Sequence, residues 1–187
     1  MSIQKKKIFI VCPISKYVDV DEKLDKEYQD FIIAICKTCK KYSSKVFLAL
    51  EREKFGKEWM SDHVCAPLDF QEMIDTDIVV AIPENSQGAG VELGWASALG
   101  KEVFLILDNI HNNSPLITGL HSITKTTHYY IDLRKGYKNI QDVLLSSLGT
   151  FLSEKIGDSS FYLQEKITLK SFKLSASKNT KNIGHVI

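Results

Sequence analysis

The chain has 187 residues, with 24 basic side chains against 23 acidic ones and a net charge of +1. That length suits one domain that buries its own core without disulfides or metals, and the even charge balance leaves no basic footprint for DNA or RNA. No run reaches the ~18 apolar residues of a membrane span, and the Lys5-Lys6-Lys7 start leads into a strand-length apolar stretch with no cleavage signal, so the chain reads as cytoplasmic.

The first β-rich run is KIFIVCP at 7–13, followed by EKLDKEYQDFIIAICKTCKKY at 22–42, whose apolar residues recur at helical spacing. KVFLAL at 45–50 is the second strand candidate and DHVCAPLDFQEMIDT at 62–76 the next helix. DIVVAIP at 77–83 leads through a polar turn into GVELGWASALGK at 90–101, expected as a helix. EVFLILD at 102–108 and THYYIDL at 127–133 complete the strands, and NIQDVLLSSLGTFLSEKI at 139–156 is the last helix. This alternation predicts an α/β fold: a single-domain, doubly wound, flavodoxin- or Rossmann-like five-stranded parallel sheet. The domain is expected over 1–157. The Ser-, Lys- and Asn-rich segment 158–187 is expected as a tail, mobile or packed on a neighbouring subunit.

In such sheets ligands bind beyond the carboxyl ends of the strands, where the strand order reverses. The residues to examine are therefore Pro13 to Lys16, Glu51 to Glu53, Glu84 to Gly90 and those after Asp108. The segment AIPENSQGAGVELG passes from an apolar strand through a glycine-containing turn into a helix, whose first N–H groups can cradle a phosphate or carboxylate. Gly88 and Gly90 would permit close approach of backbone to ligand. They do not make a dinucleotide fingerprint, which needs a third glycine and normally follows the first strand.

Glu92 falls where the helix is expected to begin, in the first turn, where the macrodipole would keep it ionised. An ionised carboxylate can attack an anomeric carbon and form a glycosyl ester. Such chemistry needs an acid or donor at the leaving group, and Asp69, Glu72, Asp75 and Asp77 lie on the preceding segment. Asp69 and Glu72 share a helix face, whereas Asp77 begins a strand at the far end of the sheet and is expected to serve structure. Cys36 and Cys39, three apart on one helix face, read as reduced core cysteines, and neither they nor the five histidines have metal-ligand spacing. No metal and no cofactor is expected. Trp95, three residues after Glu92, reads as core or subunit contact.

With these residues in view, the chain resembles the nucleoside 2-deoxyribosyltransferase superfamily, nearest to its nucleotide-hydrolysing branch, the CMP and hydroxymethyl-CMP N-glycosidases of the blasticidin and mildiomycin pathways. The matching pieces run in order: IF at 8–9 and Pro13, VD at 18–19, REKFG at 52–56, LD at 68–69 with Glu72, VELGWASALGK at 91–101 and LITGL at 116–120. The resemblance implies Glu92 as nucleophile, Asp69 in contact with base or sugar, and Phe9 as an aromatic of the base pocket. Pro13, Ile14 and Ser15 match the family's loop after the first strand, and Ser15 replaces a basic residue of the hydroxymethyl-CMP enzyme. Arg52 matches a family arginine that can reach a phosphate or a base carbonyl. Ser86 stands where the nucleoside transferases carry Asp, and a hydroxyl beside helix-start N–H groups suits a 5′-phosphate that a carboxylate would repel. Val11 and Cys12 replace two family glycines, which narrows the pocket.

The implied activity is hydrolysis of a pyrimidine nucleoside 5′-monophosphate, CMP or a cytosine analogue such as hydroxymethyl-CMP, to free base and (deoxy)ribose 5-phosphate through a glycosyl ester of Glu92. Ser86, Gly88 and Gly90 are expected to hold phosphate. The alternatives are a 2′-deoxyribosyltransferase that exchanges bases and a non-catalytic nucleotide-binding module. A homodimer or larger homo-oligomer is also implied, with Ser122 offered to a neighbour's phosphate site.

Overall fold

The structure is a computed structural model and describes residues 6–19, 23–109 and 113–156. The tail expected over 158–187, and His111 and His185, lie outside the described residues. Five strands form one parallel sheet: β1 (Ile8–Val11), β2 (Val46–Leu48), β3 (Ile78–Ala81), β4 (Glu102–Asp108) and β5 (Thr126–Ile131), in the order β2-β1-β3-β4-β5. The helices are α1 (Lys26–Tyr42), α2 (Ala49–Arg52), α3 (Asp62–Ile74), α4 (Gln87–Ala98), α5 (Pro115–Thr118) and α6 (Tyr137–Ile156). This is the doubly wound α/β sheet expected from the sequence.

Continuous apolar runs make strands here because the central strands are covered on both faces. Ile8, Ile10, Ile78, Val80, Phe104 and Ile106 point to one side, where they meet α1 and α6. Their neighbours Phe9, Val11, Val79, Ala81, Val103 and Leu105 point to the other, against Met73 of α3 and Leu93 and Ala96 of α4. Each fully buried aliphatic or aromatic side chain contributes roughly 1.5–3 kcal/mol. Helix α1 presents Tyr28, Phe31, Ile32, Ile35, Cys36 and Cys39 as one buried stripe and is capped by Asp25, which accepts from the Tyr28 N–H at 2.7 Å. Cys36 and Cys39 are free, buried thiols, and burial pushes both above their ordinary pKa.

Two boundaries differ from expectation in ways that matter for the site. Strand β2 stops at Leu48, and Ala49–Arg52 coils into the short α2, so Arg52 turns back over the sheet end. Helix α4 begins at Gln87 rather than Gly90, because Ser86 caps it by accepting from the Ala89 N–H at 3.4 Å. The sharp turn before it is made by Glu84 (φ 39°) and Asn85 (φ 61°), not by the glycines. Two non-glycine residues in the left-handed region cost on the order of 1 kcal/mol each. A buried anchor offsets that cost: Tyr17 Oη donates to the Glu84 carboxylate, Lys16 Nζ donates to the same oxygen at 2.8 Å, and Tyr137 Oη donates to Tyr17 Oη at 2.6 Å. The loop after β1 is thus tied to the turn after β3. Among the described residues no helix is long and apolar enough to cross a membrane.

Candidate active site

A cleft of about 550 Å³ opens at the carboxyl ends of β2, β1 and β3, where the strand order reverses. The end of β2 supplies Ala49, Arg52, Glu53 and Trp59; the end of β1 supplies Cys12, Ile14, Ser15 and Val18; the turn after β3 and helix α4 supply Ser86, Gly88, Ala89 and Glu92. Helix α3 adds Cys65 and Asp69. Seven of the expected site residues therefore meet in one cleft: Ile14, Ser15, Arg52, Asp69, Ser86, Gly88 and Glu92.

The charged end is built around Arg52. Its Nη1 donates to Asp69 Oδ1, and its Nη2 donates to Glu53 Oε1 at 3.0 Å, so the guanidinium is held between two carboxylates. Its flat face lies over the Phe47 ring, 5.6 Å from the centroid, and Phe47 rests on Phe9, with centroids 4.7 Å apart. These contacts make Arg52 the group that orders Asp69, while its Nε is left without a protein partner. Burial raises the Asp69 pKa, and the Arg52 hydrogen bond only partly opposes it.

Glu92 occupies the sixth helical position, beyond the reach of the helix N-terminal charge, which fades after the first turn. Part of it opens on the cleft, while protein encloses the rest. Burial, followed by the Asp69 charge, pushes its carboxyl up to about 8, with Arg52 pulling the other way. Burial thus works against the permanent ionisation expected from the helix dipole.

The opposite end carries the open helix start. Ser86 N–H donates to Pro83 at 2.7 Å, Ala89 N–H is taken by the Ser86 cap, and Gly90 N–H donates to the Ser86 carbonyl at 3.0 Å. The N–H groups of Gln87 and Gly88, which precede any intrahelical acceptor, are left to face a ligand. Gly90 is thus a correction. Its N–H is spent in the helix, and it lines a separate groove with Asn85, Asn113 and Leu116. A Cβ at Gly88 would meet nothing nearer than Ser86 Oγ at 3.9 Å, so nothing in the protein's own packing requires glycine there.

The other expected site residues lie outside the cleft. Phe9 is fully buried on the face covered by α3 and α4 and does not line the cleft; it acts only through Phe47, which lies between it and Arg52. Val11 goes with Phe9, so of the two replacements of family glycines only Cys12 meets the cleft; burial pushes its thiol up to about 12, which makes it a neutral wall. Pro13 is buried and contributes its carbonyl, which accepts from Tyr28 Oη at 2.6 Å and fixes the loop from behind. Ser122 lies just before β5 at the opposite end of the sheet, grouped with Asp77 and Glu102, and has no part in this chain's own cleft. Asp77 serves structure as expected, accepting from the Lys7 N–H at 2.7 Å. Trp95 packs edge-on against Phe70 at 5.2 Å, outside the cleft.

Trp59 and Cys65 belong to the cleft and carry no signal in the sequence beyond lying between the end of β2 and Asp69.

No family model matches the chain, and no curated protein matches it. Its structure is similar to that of the Clostridium botulinum CMP N-glycosidase BcmB, with 26% identity over 74% of this chain and 99% of that one and a TM-score of 0.50. It is also similar to the solution structure of BlsM, with 24% identity over 83% of this chain and 96% of that one and a TM-score of 0.60, a likeness of fold. The resemblance to the CMP N-glycosidases read from the sequence is thus matched in structure, and the fold is N-glycosidase-like.

Proposed function

We propose that the protein is a metal-independent nucleoside 5′-monophosphate N-glycosidase that cleaves CMP or a cytosine analogue to free base and (deoxy)ribose 5-phosphate. The observation that carries this reading is the placing of Glu92 between two unlike ends of one cleft. One end is a helix start with a hydroxyl cap, Ser86 to Gly88, and the other is the Asp69–Arg52–Glu53 cluster. A 5′-phosphate suits the first end, because Ser86 Oγ accepts from Ala89 and can still donate its own proton to an anion. An amino-bearing base suits the second, because the buried Glu53 carboxylate can accept from a 4-amino group and would repel a 4-carbonyl oxygen.

In the first step ionised Glu92 attacks C1′; the C1′–N1 bond breaks and its electron pair leaves with the base, which Asp69 positions and which takes a proton from solvent water. In the second, water attacks C1′ of the ester, the C1′–O bond to Glu92 breaks, and the Asp69 carboxylate takes the proton of that water and returns it to solvent. Two inversions give net retention. The similarity to the CMP N-glycosidase BcmB supports this reading.

Free-base release from CMP, dCMP, UMP, purine monophosphates and cytidine, followed by chromatography, tests it. Release from CMP exceeding that from both cytidine and UMP is expected, and Glu53→Gln should narrow the CMP-to-UMP ratio by about tenfold, the worth of one charged hydrogen bond. Equal release from cytidine would remove the phosphate from the proposal. Base exchange outrunning hydrolysis when a second base is added would make the protein a transferase.

The two glycines give a separate test. Gly88→Ala and Gly90→Ala should each raise the melting temperature, since alanine is up to ~1 kcal/mol better than glycine in a helix. Only Gly88→Ala should raise the KM for CMP, because Gly88 lines the cleft beside the Ser86 hydroxyl, where the phosphate would sit, and Gly90 does not. Equal KM changes in both variants would argue against this placement.

A further inference from the structure

The cleft holds one large aromatic side chain that the mechanism above does not use. Trp59 lines the end formed by β2 and α3, beside Arg52, Glu53 and Asp69, and 41% of it is exposed. An indole left open to water at the mouth of a cleft forgoes the burial that usually justifies its size.

The chain spends conformational strain to put it there. After α2, Lys54 (φ 49°), Phe55 (φ 56°) and Gly56 (φ 87°) form a left-handed run, in which the first two residues are costly. The run is locked by Phe55 N–H donating to Leu50 at 2.7 Å and Glu58 N–H donating to Glu53 at 3.2 Å, while the Phe55 ring packs on the core beneath. The chain therefore folds back just after Glu53 and presents Trp59 to the cleft ahead of α3.

We infer that Trp59 is the base-stacking residue, laying its indole against the pyrimidine ring while Glu53 meets the ring's amino edge. The inference rests on the glycosidase reading and adds the wall that reading lacks. The polar groups at this end, Arg52, Glu53 and Asp69, can bond the rim of a base but offer no flat apolar surface for its face. Stacking of a base on an aromatic side chain is sequence-tolerant, so Trp59 would hold the ring without choosing its substituents, leaving that choice to Glu53.

The chain has two tryptophans, so Trp95→Phe leaves Trp59 as a single fluorescent reporter without touching the cleft. Titration of Trp95→Phe with CMP should quench Trp59 saturably, whereas ribose 5-phosphate, which has no base, should leave its emission unchanged. In turnover, Trp59→Ala should raise the KM for CMP about 10- to 100-fold with kcat changed far less, and Trp59→Phe should restore most of the affinity. A Trp59→Ala protein with unchanged KM, or equal quenching by ribose 5-phosphate, would overturn the assignment while leaving the glycosidase reading intact. Saturable quenching by CMP without base release from the unsubstituted protein would uphold the stacking and overturn the glycosidase. Neither quenching nor release would overturn both.

Discussion

Glu92→Gln is expected to abolish base release from CMP and at the same time to make the folded protein more stable. The amide cannot form the glycosyl ester, so the rate should fall on the order of 10³-fold or more, the scale seen when a nucleophile is removed. The stability gain follows from linkage. Glu92 holds its proton up to about pH 8 in the folded protein, against 4.5 for an ordinary glutamate. A group with a raised folded pKa contributes stability that is fully present below its unfolded pKa and is lost as pH rises through the folded one. Between pH 5 and pH 8 the native protein should therefore lose stability that Glu92→Gln keeps. Part of Glu92 faces the cleft and is screened by solvent, which reduces the gain at pH 8 to about 2 kcal/mol. Denaturant unfolding at the two pH values measures it. A variant that unfolds in parallel with the native protein at both would show that Glu92 is not held in a desolvated site.

The stored cost points to function. A carboxylate kept at the expense of stability in an otherwise well-packed helix is the kind of local conflict that structural sequences avoid. It also explains why part of the site was legible in the sequence and part was not. The strands IFIV and IVVA announce a sheet covered on both faces, and the ends of such strands, with the motif leading to Glu92, point to the cleft. The charge state of Glu92 was not legible, because it depends on enclosure by α3 and Arg52, which no local pattern records. Phe9 lies outside the cleft because Phe47 and Arg52 cover it, contacts between distant strands and helices that no local pattern records. The start of α4 was set three residues late because Gly88 and Gly90 looked like the turn that Glu84 and Asn85 make. Trp59 had nothing to mark it, since its place comes from an irregular left-handed turn with no period.

Arg52→Met and Asp69→Asn should move the pH profile in opposite directions, although both break the same ion pair. Asp69 raises the Glu92 pKa and Arg52 lowers it. Removing the Asp69 charge therefore lets Glu92 ionise at lower pH, and the acid limb of kcat/KM should shift down from about 8, on the order of one unit. Removing the Arg52 charge does the reverse: the limb moves up, and at neutral pH even less of the enzyme carries an ionised nucleophile. The stability effects are unequal as well. Asp69→Asn leaves Arg52 paired with Glu53, whereas Arg52→Met strands the buried Glu53 carboxylate and the half-buried Asp69 carboxylate at once, at a cost of about 3 kcal/mol. A fall in kcat that spans the whole pH range is also expected for Asp69→Asn, because the asparagine cannot take the proton of the attacking water. Rate profiles from pH 5 to 10 on both variants decide the matter. Limbs that move the same way, or stay in place, would show that the limb reports some group other than Glu92, and the electrostatic account of this site would fail with it.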